Sequence, residues 1–233
     1  MQKAKLCVLL PTKNEKENIA YMVRQIRKMY KHDLIVSDDH STDGTIEIAR
    51  SLKVPLFLRK KPGYGEGIKE SLVNAKKRGN THLLIIDCDR TYSLKGIKTM
   101  FDCAIKGAEF VNGGRQISDI RIINRLPNWF HTTLVNVLYF GNLKDVNSGM
   151  KLFNIEKYLG KITASGPDST VQTIIIALKN KFKIKECMFP YNDRFEDEKR
   201  GKSKIRYRDA ITITWRIIKD RFTHNLFFYK EKL

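Results

Sequence analysis

The sequence predicts an α/β fold with a mainly parallel sheet flanked by helices. Three observations predict it. Apolar runs of strand length alternate with helix-periodic segments through the first half of the chain. The residues richest in ligand chemistry stand just after those runs, where parallel sheets bind their ligands. At 233 residues and 42% hydrophobic side chains, the chain has enough apolar surface for one sizeable core, and no repeat or linker divides it.

The elements follow in order. Lys5 to Leu10 reads as a first strand. Asn14 to Met29 is a helix by the spacing of Ile19, Met22, Val23, Ile26 and Met29, with Asn14 and Glu17 as a capping box. Asp33 to Ser37 is a second strand, Ser41 to Leu52 a short helix capped near Ser41 or Asp43, and Pro55 to Arg59 a third strand. A helix from Gly67 to Arg78 turns Ile68, Leu72 and Ala75 inward. Thr81 to Asp87 is a fourth strand, and Ser93 to Lys106 another helix. In the second half, Glu109 to Arg115 reads as a strand and Asn128 to Phe140 as a helix. Asp145 to Phe153 is a turn feeding a strand, Val171 to Lys179 a helix, and Ile184 to Tyr191 a strand. Glu196 to Lys204 is a charged loop. Arg206 to Phe222 is an amphipathic helix with Tyr207, Ala210, Ile211, Trp215, Ile218 and Phe222 on one stripe. Arg208, Arg216, Lys219 and Arg221 lie mostly off that stripe.

Composition narrows the function classes. Forty-four basic residues against 25 acidic ones leave a formal charge of +19, which attracts nucleic acid, anionic lipid or phosphorylated substrates. No stretch approaches the roughly 20 apolar residues that span a bilayer, and the first apolar run is too short for a secretory signal. Cys7, Cys88, Cys103 and Cys187 lack metal-site spacing and suit reduced thiols in a cytosol.

Four strand ends carry the chemistry: Pro11 and Thr12, Asp38 and Asp39, Arg59, then Asp87 and Asp89. Two like charges one residue apart repel unless something compensates them. They can share one ion only if the backbone turns there, because residues i and i+2 of a straight strand are separated along it. Arg90, Thr91 and Tyr92 are suitable turn material. Hard oxygen ligands favour Mg²⁺ or Mn²⁺. The stretch "RKKPGYGEG" is neither a P-loop nor a dinucleotide fingerprint, but its glycines allow close approach of backbone to ligand.

The segments "VLLPTKNEKENI", "VSDDHSTDGT", "DCDRTY", "NGGR", "DVNSGMKLF" and "RGKSKI" occur in the same order as in family 2 inverting glycosyltransferases. Within that family the chain most resembles dolichyl-phosphate (polyprenyl-phosphate) mannosyltransferases. The resemblance implies a GT-A, Rossmann-like sheet in a single domain over residues 1–233. Residues 1–115 would form the nucleotide-sugar half, 116–205 the acceptor half, and 206–233 an amphipathic C-terminal helix and tail. It implies a donor such as GDP-mannose or UDP-glucose, Mg²⁺ or Mn²⁺ as cofactor, and a polyprenyl or dolichyl phosphate acceptor at the cytosolic membrane face. The protein would be cytoplasmic and peripheral, on a membrane surface or joined to a membrane-anchoring subunit.

By that resemblance Pro11, Thr12, Glu15, Asp38, Asp39, Gly65, Asp87 and Cys88 border the donor, and Asp87 and Asp89 hold the metal. Arg115, Ser148, Arg194, Arg200, Lys202 and Lys204 border the acceptor phosphate, and Asp89, Arg115 and Arg200 carry catalysis. The chain departs from its relatives at Lys13, where an aromatic is common, at Thr91, where some carry Gln, at Met150 and Lys151, and at Gln172, where an acid is common. A lipid phosphate is already ionised and needs no base, which suits the missing carboxylate at Gln172. A hydroxyl acceptor would instead require one, with Asp168 and Asp145 as candidates. A nucleic-acid-binding protein is the non-enzymatic reading of the charge, and the acids at the strand ends oppose it. The last helix suits either a membrane interface or packing on the sheet.

Overall fold

The structure, a computed structural model, describes residues 3–192 and 207–223. The expected Arg194, Arg200, Lys202 and Lys204, and the tail beyond Thr223, lie outside the described residues, as does the side chain of Tyr207.

Among the described residues, seven strands form one sheet. They are β1 (Leu6–Thr12), β2 (Asp33–Asp38), β3 (Leu56–Leu58), β4 (His82–Ile85), β5 (Phe110–Arg115), β6 (Met150–Asn154) and β7 (Ile184–Phe189). Their order across the sheet is β3-β2-β1-β4-β6-β5-β7. All pairs are parallel except those of β6, which runs antiparallel between β4 and β5. The mainly parallel α/β architecture follows, with a C-terminal helix.

Among the described residues, eight α-helices cover both faces. They are α1 (Lys16–Met29), α2 (Thr45–Ser51), α3 (Tyr64–Lys77), α4 (Lys95–Ile105), α5 (Ile122–Tyr139), α6 (Ile155–Tyr158), α7 (Ser169–Lys179) and α8 (Tyr207–Phe222). Buried side chains of α1, α2 and α4, among them Ile19, Ala49 and Met100, pack on one face of the sheet. Those of α3, α5, α6, α7 and α8, among them Leu72, Val135, Tyr158, Ile175 and Ile217, pack on the other. The central strands read as continuous apolar runs because both of their faces are covered.

Two local expectations change. Asn14 and Glu17 form no capping box: Glu15 is the N-cap and makes no side-chain cap bond. The amides entering α1 are satisfied by the β2–α2 loop, since Asn14 N donates to Ser41 Oγ (2.8 Å), Glu15 N to Thr45 Oγ1 (2.8 Å) and Lys16 N to Asp43 Oδ2 (3.1 Å). Helix α5 begins six residues before the predicted Asn128, with Pro127 inside it. Proline removes one amide donor there without ending the helix.

Of the two readings left open for the last helix, packing of the predicted stripe on the sheet is not what the structure gives: Ile211 is 70%, Trp215 63% and Phe222 78% exposed. Ile213 and Ile217, on another face of α8, enter the core instead. Helix α8 is therefore apolar on two faces, one buried and one open.

Asp43 joins two helices, because Oδ2 caps α1 while Oδ1 accepts from Thr45 N (3.0 Å) and Thr45 Oγ1 (2.5 Å) at the start of α2. Partial burial opposes its charge, but these bonds hold its carboxyl below the usual range. That stabilisation is present above the unfolded-state pKa and is lost as pH falls through the lower folded value. Asp43→Ala is expected to cost about 1–2 kcal/mol near neutral pH, read as a lower urea midpoint, with the difference from wild type shrinking in acid.

Candidate functional site

The carboxyl ends of β1, β2, β4 and β5 meet at one edge of the sheet, and antiparallel β6 starts there. A cavity of about 560 Å³ opens at this edge. Of the expected residues, Pro11, Thr12, Glu15, Asp39, Asp87, Cys88, Asp89 and Arg115 line it.

Both acids of the DCD segment reach this cavity. Strand β4 ends at Ile85, and the chain then turns, with Arg90 at a φ of 63°. Asp89 is 5% exposed, and its Oδ1 accepts from Thr91 Oγ1 (2.7 Å). Asp87 lies against Gly149, where a Cβ would come 2.1 Å from Asp87 Oδ2. Only glycine leaves room for the carboxylate there. The Tyr64 hydroxyl lies 3.4 Å from Asp87 Oδ1. Among the described residues no cluster of three or more His, Cys, Asp or Glu side chains could hold a metal. Two hard carboxylates on one crevice fit a small divalent cation that completes its shell with water and ligand phosphate.

Other expected residues support the cavity from outside it. Asp38 is fully buried, and accepts from Thr12 Oγ1 (2.6 Å), Ser41 N (2.7 Å) and Ser41 Oγ (2.7 Å). It ties the first two strand ends together. Gly65 donates to Ser165 O (2.8 Å), and a Cβ on it would meet Ala164 O at 2.3 Å, so it seats α3 on that segment. Ser148 is buried, with its hydroxyl 3.0 Å from the Tyr92 hydroxyl and bonded to Gly113 O.

Arg115 rests on a buried polar platform. Its Nε lies 2.7 Å from Asp145 Oδ2 and its Nη2 3.0 Å from Oδ1, and its guanidinium stands 5.3 Å from the Tyr191 ring centroid. Burial opposes the charges of both Arg115 and Asp145, yet each holds the other ionised: the arginine is raised and the carboxyl lowered. Below them, Lys151 Nζ donates to Asn112 Oδ1 (2.9 Å) and Asn112 Nδ2 to Glu186 Oε1 (2.8 Å). Burial pushes the Lys151 ammonium down to about 7.

The candidate bases are also accounted for. Asp145 is held by Arg115 and Asp168 by Arg216 (2.8 Å), and neither lines the cavity. Gln172 is buried, accepts from Thr163 N and Ala164 N, and donates to Asp220 Oδ2. It is a structural residue of α7.

Sequence reasoning missed the helical wall of the site. Asn128 and His131 of α5, Asn147, and Asp209 and Ala210 of α8 line the cavity. Buried His131 joins these parts, for its Nε2 lies 3.1 Å from Thr214 Oγ1 and Asn147 Nδ2 donates to its Nδ1 (3.0 Å). No local motif marks such residues: Asn128 and His131 fall within the helix predicted over Asn128 to Phe140, but periodicity does not say which helical positions face a cavity. Beside the cavity lies an apolar groove of about 610 Å³ whose walls include Leu126, Trp129, Phe130, Ile211, Trp215 and Ile218. Pro127, His131 and Ala210 line both spaces, so groove and cavity adjoin.

Comparison with known proteins gives a concordant assignment. The chain is 25% identical over 230 residues to glycosyltransferase AglJ of Haloferax volcanii, covering 96% of this chain and 74% of that protein. It is 23% identical over 209 residues to polyprenol monophosphomannose synthase of Mycolicibacterium smegmatis, covering 80% and 77%. Its fold matches glucosyl-3-phosphoglycerate synthase from Mycobacterium tuberculosis, solved with Mn²⁺, UDP and glucosyl-3-phosphoglycerate, at a TM-score of 0.76 and 17% identity, over 93% of this chain and 80% of that one. The same enzyme with Mg²⁺ and UDP matches equally, at a TM-score of 0.76. The family model "Glycosyl transferase family 2" matches residues 7–158, well over half of the 233, and the chain belongs to that family.

Proposed function

We propose that this family 2 glycosyltransferase moves a hexose from a nucleoside-diphosphate sugar to a polyprenyl phosphate at a cytosolic membrane face. The observation that carries this reading is that the acid-lined cavity adjoins the open apolar groove between α5 and α8, with Pro127, His131 and Ala210 lining both. A phosphate on a long hydrocarbon chain needs both environments. Nucleotide-sugar and metal use in the structural neighbours supports the donor half, and the mycolicibacterial relative's name supports the lipid half.

In this reading Asp87 and Asp89 hold Mg²⁺ or Mn²⁺. A bound divalent cation supplies charge neutralisation for the diphosphate and for the developing leaving group. Arg115, fixed by Asp145, offers an oriented cation to the acceptor phosphate, and the fixing removes the entropy cost of ordering it. Arg194, Arg200, Lys202 and Lys204 fall in the sequence between Tyr191 and Asp209, which line the cavity, and are proposed to hold the attacking phosphate. An ionised phosphate attacks without a base, from the face opposite the leaving group, and inverts the anomeric centre. Trp129 and Trp215, with Ile122, Ile123, Leu126, Ile211 and Phe222, are exposed side chains suited to a lipid interface. No helix among the described residues is long and apolar enough to cross a membrane, and Cys7, Cys88, Cys103 and Cys187 are free thiols.

One observation favours a second reading. Asp209 lines the cavity and could serve as base for a hydroxyl acceptor.

Three measurements test these readings. Asp89→Ala is expected to lower transfer of labelled sugar into organic-extractable lipid by roughly a thousandfold while circular dichroism stays unchanged; full activity with excess chelator removes the metal role. Trp129→Ala with Trp215→Ala is expected to raise KM for a long-chain polyprenyl phosphate roughly tenfold or more, with nucleotide affinity unchanged. Asp209→Asn is expected to leave kcat within about threefold; a loss of about a hundredfold or more favours the hydroxyl acceptor.

A further inference from the structure

Gly149 must lack a side chain to admit the Asp87 carboxylate, so no side chain of its own can anchor it. Two tyrosine hydroxyls meet its backbone groups instead. Gly149 N donates to the Tyr92 hydroxyl (2.9 Å), and the Tyr64 hydroxyl lies 3.4 Å from Gly149 O. The Tyr64 hydroxyl is also 3.4 Å from Asp87 Oδ1, so its one proton is shared between the glycine and the acid. Both tyrosines line the cavity.

Both hydroxyls are themselves held. Tyr92 is buried, with its hydroxyl 3.0 Å from Ser148 Oγ. The Ser148 proton goes to Gly113 O, so Tyr92 donates in that pair. Its ring meets the Tyr191 ring edge-on, with centroids 5.0 Å apart. Tyr64 is the first residue of α3. It follows Gly63, where a Cβ would stand 2.3 Å from Ser165 O, so the helix start sits directly on that backbone. Burial first, and then the Asp87 charge, push the Tyr64 hydroxyl well above its ordinary value, and burial does the same at Tyr92. Both keep their protons and remain donors. Groups one step out from a metal fix the angle of its ligands, and losing one typically costs roughly ten- to a hundredfold in metal affinity.

Resting on the reading that Asp87 and Asp89 hold a divalent cation, we propose that Tyr64 and Tyr92 are positioning residues for that cation, gripping Gly149 so that the Asp87 carboxylate is held at one angle. Tyr64 acts on the carboxylate directly and through Gly149 O, and Tyr92 acts through Gly149 N. The stretch RKKPGYGEG gains a task from this, because its glycines let α3 start close enough to its neighbours for Tyr64 to reach Asp87.

Paramagnetic resonance of free Mn²⁺, titrated against the full chain alone and with UDP or GDP, tests this without any turnover. Tyr64→Phe and Tyr92→Phe are each expected to raise the Mn²⁺ dissociation constant roughly tenfold or more. In transfer assays the defect is expected to disappear at saturating Mn²⁺, where kcat returns to within about threefold of wild type. Tyr158→Phe is the control: it removes a buried hydroxyl that donates to Thr173 O (2.8 Å) and does not line the cavity. It is expected to lower the urea midpoint and leave the Mn²⁺ constant unchanged. An unchanged constant in either Tyr64→Phe or Tyr92→Phe, or an equal rise in Tyr158→Phe, overturns the positioning role and leaves the metal reading standing. If the wild-type chain takes up no Mn²⁺ under any of these conditions, the metal reading itself falls, and the tyrosine roles with it.

Discussion

The antiparallel insertion of β6 between β4 and β5 is the constraint on which the site depends. Its register pairs Ile85 with Lys151 on one side and Asn112 with Lys151 on the other. Carried two residues further, that register sets Asp87 against Gly149. A side chain at 149 would occupy the carboxylate's space, so the glycine and the acid are one device built across two strands. The same strand seals Lys151 under Arg115, where two acids and two bases share a small volume. A buried group of this kind is favourable only when every member is satisfied, and Asn112 supplies the bridging bonds.

The loops at the sheet edge are built on mutual satisfaction as well. Each turn lends side chains to its neighbour: Ser41, Asp43 and Thr45 serve the entry to α1, and Thr12 serves Asp38. Exposed loops would leave these groups to water. Here they are cross-braced, which keeps the rim of the cavity in shape without the sheet's own hydrogen bonds.

The half of the site on parallel strand ends was legible because strand, acid and turn residue are neighbours in sequence. Asp87, Asp89 and Asp39 needed no knowledge of distant contacts to be placed at a cavity edge. The wall of the site built by α5 and α8 was less legible. Periodicity identified α8 but could not say which of its two apolar faces is buried, because both satisfy a helical repeat. Pro127 concealed the first turns of α5, which are apolar and solvent-facing and so lack the alternation that marks a packed helix. Ser148 and Gly65 lie near the site without lining the cavity, since a motif gives proximity and not the direction in which a residue faces.

The enclosure of Lys151 has a practical corollary. At 1% exposure, its amine is shut away from dissolved electrophiles as long as β4, β5 and β6 stay zipped. Amine-reactive labelling followed by peptide mass mapping would tag surface lysines in seconds and reach this one only when the sheet parts. One buried residue thus serves as a built-in gauge of how often the region beside the candidate site opens.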